Sequence, residues 1–232
     1  MKAAYFLVFG LWLFSCAPAR YVKPLAQGQH AIQVNLGGPI AKIPGIGTLP
    51  LPLTSVGYGY GLKNNLTVFG NIHTTSLLFG IGQGDFGATY RCWSKNRMGI
   101  SLQPTLNFSL DMFTGSNRLW PQCDVSYYWD YCEIRTKGKN GRGYQKIRSF
   151  YTGISSWFDP YGIESQGRKN EQFWIPSFQL GHLWQRNQWV FQLEGKVLAP
   201  IYSNLDIVVD YPSVLGNHGA LGAYFSVYYK LK

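Results

Sequence analysis

The run ISLQPTLNFSLD, Ile100 to Asp111, sets Ile100, Leu102, Pro104, Leu106, Phe108 and Leu110 at alternate positions and Ser101, Gln103, Thr105, Asn107, Ser109 and Asp111 between them. Successive side chains of a strand point to opposite faces, so this segment has one oily wall and one wet wall. A soluble sandwich can use the same pattern. Here, however, it recurs down most of the chain, between connections that alternate short and long, behind an export signal. That combination predicts an all-β chain folded as an antiparallel transmembrane β-barrel.

Working outward from Ile100, ten segments follow the alternation: Gln29–Gly37, Thr54–Leu62, Leu66–Thr75, Asp85–Trp93, Ile100–Asp111, Leu119–Tyr131, Ile147–Phe158, Phe173–Trp184, Trp189–Ala199 and His218–Leu231. Each is long enough for a tilted membrane strand. In the second, Val56, Tyr58, Tyr60 and Leu62 oppose Gly57, Gly59 and Gly61. Lys63–Asn65, Ser94–Met98 and Gln185–Gln188 read as tight polar turns, and Gly38–Leu53, Asp159–Gln172 and Pro200–Asn217 as longer loops. Ten strands return both ends of the barrel to the tight-turn side, the periplasmic one in such proteins. Glu133–Lys146 breaks the rule as a long connection on that side.

The amino terminus carries export information. Met1-Lys2 and the apolar run Ala3–Leu13 form a signal too short to span a bilayer. It ends in Leu13-Phe14-Ser15-Cys16, which resembles a bacterial lipoprotein box and marks Cys16 for lipidation, while Ala17-Pro18-Ala19 offers an ordinary cleavage site instead. We divide the chain into a lipoprotein signal (1–15), a periplasmic tether (16–27) and a barrel domain (28–232). Cys92, Cys123 and Cys132 read as small hydrophobes, and nothing has the spacing of a zinc site. The 16% aromatic content, 27 glycines and 14% charged residues suit a turn-rich barrel with aromatic belts and argue against disorder.

With these features the chain resembles a small bacterial outer-membrane β-barrel lipoprotein, a class and not a single family. The resemblance implies location and shape: the outer membrane, with the N-terminus on the periplasmic side, among outer-membrane lipids. It implies no activity.

Charge gives the main functional hint. Most of the 21 Lys and Arg fall toward the periplasmic rim, and most of the 11 acids toward the outer loops. Arg135, Lys137, Lys139, Arg142, Lys146 and Arg148 form a candidate docking run for an acidic periplasmic protein or another subunit of an envelope assembly. Anionic lipid headgroups are the plainer explanation of the same charges. Nucleic acid is in the wrong compartment. Alternation places His73, Arg91, Asp111, Asp124, Asp130, Glu194, Lys196 and Lys230 in the lumen, where mixed charges in a narrow barrel pair and plug it or else line a small pore.

No cofactor is expected, and catalysis finds no support: His73 could be recruited with a lumenal serine, but no spacing singles out a triad. Gly82–Gly87 spells G-x-G-x-x-G yet leads into a strand, and Asn65-Leu66-Thr67 and Asn107-Phe108-Ser109 fit a glycan pattern by chance. The resulting expectation is a non-enzymatic scaffold or accessory subunit, with a small passive pore as the alternative and a lipid-modifying enzyme behind it.

Overall fold

The computed structural model describes residues 20–45, 47–137, 143–161, 173–205 and 209–231. In chain order the elements are β1 (His30–Ile43), β2 (Gly47–Pro50), β3 (Thr54–Lys63), β4 (Leu66–His73), the short helix α1 (Thr74–Leu78), β5 (Ile81–Lys95), β6 (Met98–Asp111), β7 (Asn117–Lys137), β8 (Gly143–Phe158), β9 (Trp174–Arg186), β10 (Trp189–Ser203) and β11 (His218–Lys230). All pairings are antiparallel between neighbours, and β1 also pairs with β11 from Ala31↔Lys230 to Pro39↔Gly222, which closes the ring. Only β2 stays outside it, folded back on the far half of β1. The result is a closed antiparallel barrel whose strands contain all ten alternating segments except the first residue of the first, the last two residues of the third, the first of the eighth and the last of the tenth.

The polarity is that of a membrane barrel. Gln33 is 1% exposed and its neighbour Val34 51%; Asn71 is 8% exposed and Ile72 58%. Ser101, Gln103, Thr105, Asn107, Gln122, Asp124 and Ser126 are buried too, while Phe86, Phe108, Val125, Phe178 and Leu180 lie outside. A soluble protein does the reverse. A ring of exposed apolar side chains this continuous needs hydrocarbon around it, and the ring of strands closes on itself so that no sheet edge faces the hydrocarbon at this level. On β9 the outer face runs from Trp174 to Trp184 through Phe178 and Leu180. Ten residues at a tilt of about 40° cover about 26 Å of height, close to the apolar band of such barrels. Near the tight turns the belt is dense: ring centroids of Tyr131 and Phe150 are 5.3 Å apart, Phe150 and His182 4.6 Å, and His182 and Trp184 4.1 Å.

The tight turns are two-residue hairpin loops between β3 and β4, β5 and β6, and β9 and β10. Asn96 and Asn187 take positive φ there (55° and 54°), a conformation that asparagine tolerates better than most residues. Lys230 N–H donates to the Gln188 carbonyl and Leu231 N–H to that of His30, so the ring begins and ends at this tight-turn rim.

Several boundaries differ from the sequence reading. Gly38–Leu53, read as a loop, holds the far end of β1 to Ile43 and all of β2. Thr74 and Thr75 start α1 instead of extending β4. More consequentially, Glu133–Lys146 is mostly paired: β7 and β8 continue as a hairpin from Cys132↔Arg148 to Lys137↔Gly143, leaving only 138–142 between them. Pairing of β7 with β6 stops at Met98↔Trp129, so this hairpin projects past β6 with no further neighbouring strand on that side among the described residues.

Candidate functional site

Within the stretch expected to be a periplasmic tether (16–27), Arg20 to Leu25 lie inside the barrel, and residues 16–19 are outside the described ones. Arg20, Tyr21, Val22 and Leu25 are 6%, 1%, 3% and 1% exposed. From the tight-turn rim inward, Gln27 N–H donates to Asn64 Oδ1 in the β3–β4 turn, Leu25 N–H to Thr67 Oγ1 (2.7 Å), and the Tyr21 carbonyl accepts from Thr89 Oγ1 (2.8 Å) and Gln103 Nε2 (3.3 Å). Deepest of all, the Arg20 guanidinium donates to Thr105 Oγ1, Asn107 Oδ1 (3.3 Å) and Gln122 Oε1 (3.0 Å). The segment therefore runs antiparallel to β1 and turns into it at Gly28, whose φ of 74° allows the reversal and whose N–H bonds the Gly61 carbonyl.

The inward face of β3 explains how it fits. Gly57, Gly59 and Gly61 face the lumen, and a Cβ on Gly59 would stand 2.7 Å from the Tyr21 ring. A Cβ on Gly61 would meet the Ala26 carbonyl oxygen. The Tyr21 ring then packs on Phe69 (centroids 6.0 Å) and edge-on to Tyr228 (5.0 Å). The space over Gly59 and Gly61 is a groove that the N-terminal segment fills, while the space over Gly57 is taken by Asn71.

The lumenal charges are mostly paired. His73 Nε2 lies 3.0 Å from Asp85 Oδ2, and Asn71 donates to the other oxygen of that carboxylate (2.7 Å). Asp124 accepts from Gln122 (2.8 Å) and Ser155 (2.6 Å). Glu194 accepts from the Tyr151 hydroxyl (2.7 Å) and pairs with Lys196 (3.1 Å), whose ammonium lies 5.1 Å from the Tyr224 ring centroid. Asp130 takes Lys23 and the Ser149 hydroxyl (2.6 Å). Lys230 donates to Gln185 (3.1 Å), and Arg91 to the Asn64 carbonyl (3.0 Å) at the rim. Asp111 has the expected inward position, but its carboxylate is spent on the β6–β7 turn, accepting from Phe113 N–H (2.8 Å) and Thr114 Oγ1 (2.7 Å). It organises a loop at the mouth and does not act on the lumen proper.

Below the filled level a cavity of about 1020 Å3 opens at the tight-turn end, lined among others by Lys23, Arg91, Arg97, Asp130, Glu133 and Lys230. Its wall includes buried Leu25, Tyr128, Leu183, Val190 and Tyr228.

The candidate docking run is dispersed. Lys146 and Arg148 lie on the outer wall, in register with Arg186 and Trp184 of β9. The backbones of Arg135 and Lys137 are in register with Gln145 and Gly143. Lys139, Arg142 and Cys16 lie outside the described residues. Ser55 stands opposite His73 across β3 and β4, yet its hydroxyl accepts from Asn35 (2.9 Å). Cys92, Cys123 and Cys132 form no disulfide.

No family model and no curated protein matches this chain. Among solved structures it is similar to the NanC porin, at 11% identity and a TM-score of 0.37 over 88% of this chain and 100% of that one. It is also similar to Ail, the attachment invasion locus protein of Yersinia pestis, at 10% identity and a TM-score of 0.27 over 88% and 99%. Likenesses this distant carry no argument about function.

Proposed function

We propose that this protein is a self-plugged outer-membrane barrel that serves as a non-enzymatic scaffold or accessory subunit of an envelope assembly. The tight turns and the β7–β8 hairpin face the periplasm in this reading, in keeping with the short-turn and long-loop asymmetry of such barrels. The filled lumen carries it. A barrel whose interior is occupied by its own Arg20–Leu25 has its outer features left for interaction, and the most prominent is the projecting hairpin.

Beyond Asp130, whose N–H bonds the Arg97 carbonyl, β7 has no neighbouring strand on its β6 side among the described residues, and an extended partner segment can join it there through main-chain hydrogen bonds. Lys146, Arg148 and Arg186 beside it favour an acidic partner. The reading does not depend on a lipid at Cys16. A non-enzymatic role is supported by the engagement of Ser55 with Asn35 and of His73 with Asp85, which leaves Ser55 and His73, facing each other across β3 and β4, without a shared hydrogen bond.

Co-purification in mild detergent tests the proposal. Reversing the charge at Lys137, Lys139, Arg142, Lys146 and Arg148 is expected to release bound partners, and unchanged recovery counts against docking. The small passive pore remains the second reading because the vestibule is wide and polar. Planar-bilayer recording separates the two: the scaffold is electrically silent until residues 20–27 are deleted, whereas steady conductance of the full protein favours the pore.

A further inference from the structure

We propose that the chain is cut between Ala19 and Arg20 and that the N-terminus so created is seated inside the barrel. Three observations carry this.

The first is depth. The Tyr21 carbonyl is held by Gln103, five residues along β6 from Met98 at the tight-turn rim, or about 13 Å inside it at 3.4 Å per residue and a tilt of about 40°. Three residues lie between Cys16 and Arg20, and the four steps from one to the other, fully extended, reach about 14 Å. A diacylglycerol on Cys16 in the adjoining leaflet would need the chain to retrace those 13 Å and then cross a barrel wall about 10 Å thick. Leaving by the opposite mouth is longer still, since Asp111 is eight residues beyond Gln103, about 21 Å of depth. Neither path fits while Arg20 keeps its three partners.

The second is the cleavage signal. Ala17-Pro18-Ala19 provides the small residues of an ordinary signal-peptidase site, and its cut falls directly before Arg20, whose side chain is buried in the lumen. The reaction is hydrolysis of the Ala19–Arg20 amide: water adds its oxygen to the alanine carbonyl carbon, the C–N bond breaks, and the amine takes the proton. No residue need then be accommodated beyond Arg20.

The third is charge. Asp85 stands in register with Asn107, and Asp124 with Gln103, so two buried carboxylates face the level at which Arg20 is held. Glu194 and Lys196 pair with each other. Asp85 already holds Asn71 and His73, and Asp124 holds Gln122 and Ser155; the Arg20 guanidinium adds a positive charge at this level, and a free α-ammonium on the same residue would add a second of the sign that buried carboxylates favour.

Intact-mass measurement and N-terminal sequencing of the full protein, expressed in a bacterium with an outer membrane and extracted in detergent, test this directly. The expected product begins at Arg20, with a free amine and no acyl group. A product beginning at Cys16 and carrying diacylglycerol overturns the proposal, as does any other terminus upstream of Arg20. Two variants sharpen the result. Cys16→Ala is expected to give the same mature mass and the same heat-modifiable band on gels, and loss of processing overturns the proposal. Ala19→Leu is expected to accumulate precursor, and normal cleavage at that bond overturns it.

Discussion

A single methyl group should loosen the N-terminal segment. In Gly59→Ala the new Cβ would lie 2.7 to 2.8 Å from Cζ, Cε2 and Oη of Tyr21, where carbon atoms prefer about 3.5 to 4.0 Å. The ring is 1% exposed and wedged against Phe69 and Tyr228, so it must move by about 1 Å or leave. Overpacking of this kind costs about 1–3 kcal/mol. If that falls on docking of the segment while the ring of strands stays closed, the undocked fraction rises about 5-fold to 150-fold, at about 1.4 kcal/mol per factor of ten. Hydrogen exchange reads this fraction at the Leu25 amide, bonded to Thr67, and at the Gly28 amide, bonded to Gly61. Exchange across 20–29 should accelerate by that factor with strand amides unaffected. The double variant Gly59→Ala with Tyr21→Ala should be less than additive, because the methyl then enters the space the ring leaves. Unchanged exchange in Gly59→Ala, with the barrel intact by heat-modifiability, would refute the groove-and-ring argument.

Lys23→Ala removes the cation from Asp130, which keeps the Ser149 hydroxyl and remains partly exposed; we expect a loss of about 1 kcal/mol in denaturant unfolding from micelles, largely recovered by adding Asp130→Asn. Tyr151→Phe deletes a donor to Glu194 and an acceptor for Gln192 in a fully enclosed site, at a cost of about 1–3 kcal/mol by the same measurement. Asn187→Gly in the β9–β10 turn should be neutral, whereas Asn187→Val should destabilise by about 1–2 kcal/mol because of its positive φ, and equal unfolding midpoints for the two would contradict the turn assignment.

The barrel was legible because its wall separates two solvents of opposite polarity, and that separation imprints a period of two. Where the separation ends, so does the signal. Past Trp129 both faces of the β7–β8 hairpin are wet, so Glu133–Lys146 loses its alternation and reads as a loop although its backbone is paired. Asp111 obeys the period and still escapes the lumen, because a strand's last residue is within reach of its own turn. The N-terminal segment was missed because an irregular stretch has no period at all, and Arg20 and Lys23 made it look soluble. A clue lay elsewhere: Gly59 and Gly61 leave one sector of a narrow lumen without side chains, and Tyr21, Val22 and Leu25 are the apolar residues nearest in sequence that could fill it.

The hairpin-like reversal at Gly28 has a bearing on how this molecule assembles. Because the segment folds back from the rim instead of passing through from the far mouth, it forms no threaded topology. Its free end can swing in after the first and last strands have zipped together, like a tongue into a buckle already fastened. Insertion into the bilayer and sealing of the interior are thus separable events, and the barrel can be watertight late without having been knotted early.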